Sequence, residues 1–407
     1  MSEVRHGLHV YLHNDVFGEL LVPYTTATTL EFDDRLQARG GPPARHDRPA
    51  REGAVATLVV LVVDDSALMR RAIKGMLTTA GGFEVHTARD GHDALEQLGR
   101  LRPHVITLDI NMPQMDGLSC LAKIMANQPT PVVMLSSLTE KNALVTLEAL
   151  ELGAVDYVAK PGGTVSLNLD EVATELVQKV RTAAGARLSR TRGLSARVKT
   201  GTAAPAPAQR RSAARAGIVD LVLIGASTGG PALLWDLLPQ LPASLAAPVV
   251  VALHIPGSFT AGMAHRLDET CQMPVHEVDR VTTLRPGHIY LARGSADVVV
   301  ARRLDGLIVK SVPSDTGHRW HPSVDRLVAS ARAHIEPRRL VCALLTGIGD
   351  DGAAEMSAVH AGGGRTVAES EETAVVWGMP GELARRGGAS TVLPAHRIAA
   401  QLADWAC

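Results

Sequence analysis

From Leu58 onward, short runs of β-branched and aliphatic residues alternate with amphipathic stretches. Leu58–Val63, Phe83–Thr87, Val105–Leu108, Val132–Leu135 and Val155–Val158 are apolar runs of strand length. Between them apolar positions recur at helical spacing, as in Met69, Ile73, Met76 and Leu77, then Leu118, Leu121, Ile124 and Met125, then Leu144, Leu147 and Leu150. A helix near Asp170–Ala183 closes this pattern. Such alternation predicts an α/β domain over residues 57–180, with a five-stranded, doubly wound parallel sheet covered on both faces. A second α/β pattern occupies residues 217–407, with strands expected near Val219–Ile224, Val249–Leu253, Ile289–Ala292, Leu307–Lys310, Leu340–Leu345 and Arg365–Ala368. A Rossmann-like, mostly parallel sheet is expected there, in a domain long enough for an enzyme core.

The flanking segments lack this periodicity. Residues 1–56 end in a Gly/Pro/Arg-rich stretch and read as disordered, or as the product of a start site placed too far upstream. Residues 181–216 carry nine Lys or Arg and no acid among Ala, Gly, Ser, Thr and Pro, which reads as a basic flexible linker. A contact with nucleic acid or an acidic surface is the alternative for that run.

Composition narrows the classes further. With 46% hydrophobic and 20% charged residues and a formal net charge of -1, the chain has the make-up of a globular protein, and no global field selects a polyanionic partner. Cys120, Cys271, Cys342 and Cys407 lie far apart without a C-x-x-C pair, which suggests neither disulfides nor zinc and points to a reducing cytoplasm. The longest apolar runs are strand-sized and no secretory signal pattern opens the chain, so no direct membrane insertion is expected.

Candidate chemistry sits at the strand ends. Asp64 and Asp65 follow the first strand, Asp109 ends the third, Ser136 ends the fourth, and Lys160 follows the fifth. The carboxyl edge of a parallel sheet is where ligands bind. Converging carboxylates repel one another unless a cation lies between them, and hard oxygen donors favour Mg²⁺. Any one of these acids alone reads as a helix cap; five residues at four strand ends do not.

These residues resemble the receiver domain of two-component response regulators: Asp64-Asp65, Asp109-Ile110-Asn111-Met112-Pro113 with Asp116-Gly117 behind it, Ser136-Ser137 and Lys160-Pro161. The resemblance implies that Asp109 accepts phosphate from a histidine kinase, with Asp64, Asp65, Asp109 and the Asn111 carbonyl serving Mg²⁺. It also implies that Ser136, Tyr157 and Lys160 form the switch. Tyr157 reads equally as an ordinary half-buried strand aromatic.

In the second domain, Val219–Ile224 is followed by Gly225-Ala226-Ser227-Thr228-Gly229-Gly230-Pro231, an apolar strand, a small-residue turn and a helix opened by proline. Gly225-x-Ser227-x-Gly229 fits a nucleophile elbow; taken alone, the pattern serves equally for a phosphate-binding or a packing turn. A serine hydroxyl needs an imidazole to take its proton and a carboxylate to orient that imidazole. Of 16 histidines, His254 stands at the end of Val249–Leu253, and Asp351 follows another strand at the mouth of a helix. The order Ser, His, Asp differs from that of α/β-hydrolases.

Ile224–Pro231, His254-Ile255-Pro256 with Phe259-Thr260, His321-Pro322-Ser323-Val324-Asp325, Thr346-Gly347 with Asp351-Gly352, and Trp377-Gly378-Met379-Pro380 resemble the catalytic domain of the chemotaxis protein-glutamate methylesterase and protein-glutamine glutaminase family. A receiver followed by this domain is itself that family's architecture. The resemblance implies a phosphorylation-activated serine hydrolase that demethylates glutamate methyl esters and deamidates glutamines on methyl-accepting chemotaxis receptors. Ser227 would be the nucleophile, His254 the general base and Asp351 its orienting acid. Thr228 and the N–H of Ile348 would hold the oxyanion, and the esterase reaction would need no cofactor. The family usually has Met at the place of Ile348 and Asn at that of Asp350; the second change sets an extra carboxylate beside Asp351, where it would raise a pKa.

Two other classes stay open at this level. A catalytically weak adaptor would keep the fold for receptor docking, and intact Ser227, His254 and Asp351 oppose it. A DNA-binding response regulator would use the basic linker, but the second domain shows no helix-turn-helix segment, and no nucleic-acid partner is expected.

Overall fold

The computed structural model describes residues 57–137, 140–160, 169–186 and 219–407. The expected tail at 1–56 and most of the expected linker therefore lie outside the described residues. None of the described helices is long and apolar enough to cross a membrane.

The first sheet has the order β2-β1-β3-β4-β5, built from β1 (Leu58–Val63), β2 (Phe83–Ala88), β3 (Val105–Asp109), β4 (Val132–Ser136) and β5 (Asp156–Ala159), all parallel. Helices α1 (Ala67–Ala80), α2 (Gly91–Leu101), α3 (Gly117–Asn127), α4 (Glu140–Glu151) and α5 (Leu169–Ala184) connect and cover the strands. Each of β3 and β4 is buried at every position, the signature of a strand covered on both faces. Helix α5 runs four residues beyond the domain limit expected at 180.

The second domain is built on seven parallel strands in the order β15-β14-β13-β6-β7-β10-β8. These are β6 (Leu221–Ala226), β7 (Val249–Leu253), β8 (Val275–Val278), β10 (Ile289–Ala292), β13 (Leu340–Leu344), β14 (Arg365–Glu369) and β15 (Thr391–Leu393). The helices are α6 (Gly230–Leu237), α7 (Gly257–Thr270), α8 (Val324–Arg332), α9 (Ala353–Ala361), α10 (Met379–Arg385) and α11 (Ala395–Ala406). The expected strand at Leu307–Lys310 exists, but not in this sheet. It is the middle of β12 (Gly306–Val312), which pairs antiparallel with β11 (Asp297–Arg303) and β9 (Thr282–Thr283) in a separate three-stranded sheet.

The two domains share a hydrophobic cluster that runs from Leu147 and Tyr157 to Phe259 and Met263. Tyr157 stacks on Phe259 with ring centroids 4.7 Å apart, and a Cβ on Gly262 of α7 would fall 2.8 Å from Leu144 Cδ2 of α4. On the rim, Arg266 lies 3.5 Å from Glu151.

A buried carboxylate fixes the loop between β12 and α8. Asp297 is wholly buried and accepts hydrogen bonds from the N–H groups of Asp315 (3.1 Å) and Ser323 (2.7 Å), from His321 Nδ1 (3.0 Å) and from Arg326 Nη1 (2.6 Å). Burial alone would raise its pKa; the bonds from His321, the Ser323 amide and Arg326 outweigh it and hold the carboxyl below its ordinary value.

Two outcomes are expected. Leu223, fully buried in β6, should lower stability by about 2–5 kcal/mol on Leu223→Ala, read by urea unfolding. For Asp297 the depressed folded pKa means a stabilisation present above the unfolded value of about 3.9 and lost as pH falls through the lower folded value. The stability gap between wild type and Asp297→Asn should then be widest near about pH 6–7 and narrow below about pH 4; a gap independent of pH would show that the charge is immaterial.

Candidate active site and phosphorylation pocket

Strands β13, β6 and β7 are neighbours at the middle of the large sheet, and their carboxyl ends deliver the candidate residues to one place. The near-continuous apolar runs of β6 and β7 fix their register, pairing Ala226 with Leu253, so that Ser227 and His254 follow on adjacent strand ends. Ser227 N–H donates to the Thr346 carbonyl (2.9 Å), and His254 N–H donates to the Ala226 carbonyl (3.1 Å). Gly229 turns the chain into α6 at φ 78°, and a Cβ there would fall 2.7 Å from Val375 Cβ, so the turn needs glycine for conformation and for room.

Asp351 arrives from the loop after β13, at the entrance to α9. Its Oδ2 lies 2.8 Å from His254 Nε2 and accepts the Val324 N–H at 2.7 Å, while Oδ1 accepts the Asp325 N–H (2.9 Å) and the Ser323 hydroxyl (3.0 Å). The carboxylate thus caps the N-terminus of α8, where the helix dipole favours negative charge. Burial would raise its pKa, but the His254 hydrogen bond and charge and the two backbone donors outweigh it and hold it below the ordinary carboxylate range. An ionised Asp351 only accepts, so His254 carries its proton on Nε2 and leaves the Nδ1 lone pair open. That Nδ1 is buried and has no hydrogen-bond partner, and no hydrogen bond joins it to the Ser227 hydroxyl.

A cavity of about 940 Å³ opens over these groups, lined by Ser227, Thr228, His254, Trp320 and Ile348 on one side and by Asp156 and Tyr157 of the receiver on the other. Trp320 stacks on His254 with ring centroids 5.5 Å apart, Arg319 lies over the Trp320 ring, and Arg319 also reaches Gln178 of α5. The Asp350 carboxylate does not act as expected. It is largely exposed and turned to Arg386 at 3.3 Å, so it contributes nothing to Asp351, whose pKa goes down and not up.

In the receiver, Asp64, Asp65 and Asp109 bring carboxylate oxygens within 4.8 Å of one another, and Lys160 Nζ is 2.8 Å from an oxygen of Asp64 and of Asp109. Burial and the Asp64 charge push Asp109 up in spite of Lys160. An oxygen-only donor set with like charges crowded together, Asp64 and Asp109 buried and Asp65 exposed, fits a divalent cation, and receiver domains in general take up phosphate with Mg²⁺. The Asn111 N–H donates to the Asp109 carboxylate. The Ser136 hydroxyl accepts from Thr146 Oγ1 at 2.7 Å and does not bond to Asp109.

Tyr157 is more deeply buried than a half-buried strand aromatic. It is buried because Phe259 of the other domain covers it, and Lys179 Nζ stands 4.7 Å from its ring centre. Beside it, Asp156 accepts the Thr228 hydroxyl, placing a receiver carboxylate on the residue next to Ser227. The same carboxylate accepts the Tyr157 N–H (2.7 Å) and is 3.2 Å from Lys179 Nζ. Asp156, Lys179, Trp320 and Asp297 escape a sequence reading: their partners lie on other elements, and no spacing rule links them.

The CheB methylesterase family matches residues 222–402, and the response regulator receiver domain matches residues 60–169. The chain is 51% identical over 356 residues to a protein-glutamate methylesterase/protein-glutamine glutaminase of Rhodopseudomonas palustris, covering 85% of this chain and 97% of the relative. It is 52% identical over 353 residues to one of Rhodospirillum rubrum, covering 85% and 95%. Among solved structures, the catalytic domain of Thermotoga maritima CheB matches with 34% identity and a TM-score of 0.44, covering 46% of this chain and 98% of that one. The two family matches and the identity to these relatives make the chain a member of the CheB family, the protein-glutamate methylesterase/protein-glutamine glutaminases that carry a response-regulator receiver.

Proposed function

We propose that this chain removes methyl groups from glutamyl methyl esters, and amide nitrogen from glutamines, on methyl-accepting chemotaxis receptors, under the control of a histidine kinase that phosphorylates Asp109. The observation that carries the reading is the convergence of Ser227 and His254 on adjacent strand ends in the wall of the cavity, with His254 held by an ionised Asp351 and its Nδ1 without a hydrogen-bond partner. In this reading Ser227 Oγ attacks the γ-carbonyl as His254 Nδ1 takes its proton. The tetrahedral oxyanion is held by the Ile348 N–H and the Thr228 hydroxyl, each such donor contributing about 3–4 kcal/mol to the transition state. His254 returns the proton to the leaving methanol or ammonia, and water then cleaves the acyl-enzyme by the same route. Asp351 keeps the imidazole in one tautomer and stabilises it when protonated.

The receiver controls access and chemistry together. With the domains closed, Asp156 takes up the Thr228 hydroxyl that the oxyanion would use, and Tyr157 seals the contact against Phe259. Asp64, Asp65, Asp109 and the Asn111 carbonyl would hold Mg²⁺, which neutralises the crowded charge while Asp109 accepts phosphate. Phosphate on Asp109 draws Ser136 and Lys160 toward it and releases Tyr157, shifting the domains apart.

Methanol release from methylated receptor membranes tests this reading. Ser227→Ala should lose at least ~10³-fold in rate, and a small-molecule phosphodonor with Mg²⁺ should raise the wild-type rate. Asp156→Ala should raise the rate without phosphodonor by roughly tenfold, the equivalent of about 1.4 kcal/mol from one charge-assisted hydrogen bond. Release that ignores Ser227 would remove it as nucleophile; wild-type membranes that bind the protein and release no methanol in either state would make it an adaptor.

A further inference from the structure

Beneath the nucleophile turn lies a carboxylate that the reaction does not use. Glu369 ends β14 and is 1% exposed. Its Oε2 accepts the Thr346 N–H at 2.8 Å and its Oε1 accepts the Thr373 hydroxyl at 2.9 Å. Among the described residues no cation pairs with it. Exposed Glu371 and Glu372 follow it in the turn, and exposed His396 and Arg397 open α11, but neither cation forms an ion pair with it. On β13 the nearest titratable group is the buried Cys342, and β15 carries none.

Thr346 transmits what Glu369 does. Its carbonyl accepts the Ser227 N–H (2.9 Å), its hydroxyl donates to the Thr228 carbonyl (2.9 Å), and that hydroxyl accepts the Val376 N–H (3.0 Å). Gly347 then passes so close to the nucleophile that a Cβ on it would fall 2.7 Å from Ser227 Cβ, before the chain reaches Ile348. One residue, Thr346, therefore sets the position of the nucleophile through its carbonyl and hydroxyl, and leads through Gly347 to the oxyanion donor. The Thr346 N–H is fastened to Glu369.

We infer that Glu369 is a positioning residue for the hydrolysis, which fixes through Thr346 the relative placement of Ser227, Thr228 and the Ile348 N–H. The inference rests on the serine-hydrolase reading above. A charged acceptor holds a backbone N–H about twice as strongly as a neutral one, so the grip on Thr346 depends on whether Glu369 is ionised. Burial pushes its carboxyl up to about 7, with the Thr346 and Thr373 bonds opposing, which puts the change of grip within the working range of an enzyme.

The test uses the full-length protein on methylated receptor membranes, with Ser227→Ala as the blank. Glu369→Ala leaves the Thr346 N–H unpaired and should lower kcat by ~10- to 100-fold with KM unchanged, the loss typical of a misplaced reacting group. Glu369→Gln keeps a neutral acceptor of the same shape. The quotient of wild-type over Glu369→Gln kcat removes every pH effect that the two enzymes share. It should stay near one at about pH 6 and rise at least ~3-fold by about pH 8.5, as the wild-type carboxyl loses its proton. Thermal melts identify any variant that fails to fold; should Glu369→Ala fail, the quotient decides alone. A folded Glu369→Ala enzyme with kcat within about twofold of wild type, or a flat quotient, overturns the assignment. Loss of the Ser227-dependent signal in wild type itself would instead overturn the hydrolase reading on which it stands.

Discussion

A carboxylate taken out of water costs several kcal/mol unless donors replace the solvent, and both functional sites of this chain are made of such carboxylates. What each can do follows from the donors that surround it. Asp351 has an imidazole, two backbone N–H groups and a hydroxyl, and is held ionised as a fixed acceptor. Asp297, with Arg326, His321 and two amides, is likewise held ionised, and it fastens the loop that lays Trp320 on His254. Asp109 has Lys160 but also Asp64, and burial first, with the Asp64 charge behind it, raises its pKa; a divalent cation relieves both. Glu369 has only an amide and a hydroxyl, so its proton is loosely decided near neutrality. One cost, met by four donor sets, yields a structural clamp at Asp297 and, in the proposed readings, an orienting acid, a phosphate acceptor and a titratable support.

The parallel sheet is what brings these groups together, and it is also what made much of the chain legible. Runs such as Val249–Leu253 are apolar at every position because helices cover both faces, so strand ends could be read within a residue or two, and with them Ser227, His254, Asp64, Asp109 and Lys160. The strands that escaped are those the argument does not cover. Val275–Val278 is buried only at its two ends and lies at the sheet edge, Thr282–Thr283 is two residues long, Thr391–Leu393 has no buried position, and Asp297–Arg303 belongs to an antiparallel sheet. Leu307–Lys310 was visible as a strand, but its sheet was not, since pairing partner and direction are set by a hairpin and not by apolar content.

Site residues divide along the same line. Those whose chemistry belongs to a strand end carry a local signature; those that act on another residue do not. Asp156 and Thr228 are 72 residues apart and belong to different domains, and Glu369 meets Thr346 across 23 residues and two strands. Asp350 shows the converse error: adjacency in sequence to Asp351 suggested an electrostatic effect, yet the backbone at the mouth of α9 sends the two side chains apart, one to His254 and one to Arg386.

The closed arrangement of the two domains bears on how inhibition works. A receiver that only covered the cavity would hinder a receptor helix and leave the chemical groups ready beneath it. Here the Thr228 hydroxyl is donated to Asp156, and the Ser227 hydroxyl makes no bond to His254 Nδ1. In the proposed mechanism both are groups on which the reaction depends, and the first is engaged by a residue of β5. Because Tyr157 sits between Asp156 and the ring of Phe259, movement of Tyr157 toward a phosphorylated pocket would withdraw the carboxylate from Thr228 in the same step. Access and catalytic competence are then one equilibrium, and a change in the interface shifts both by the same free energy.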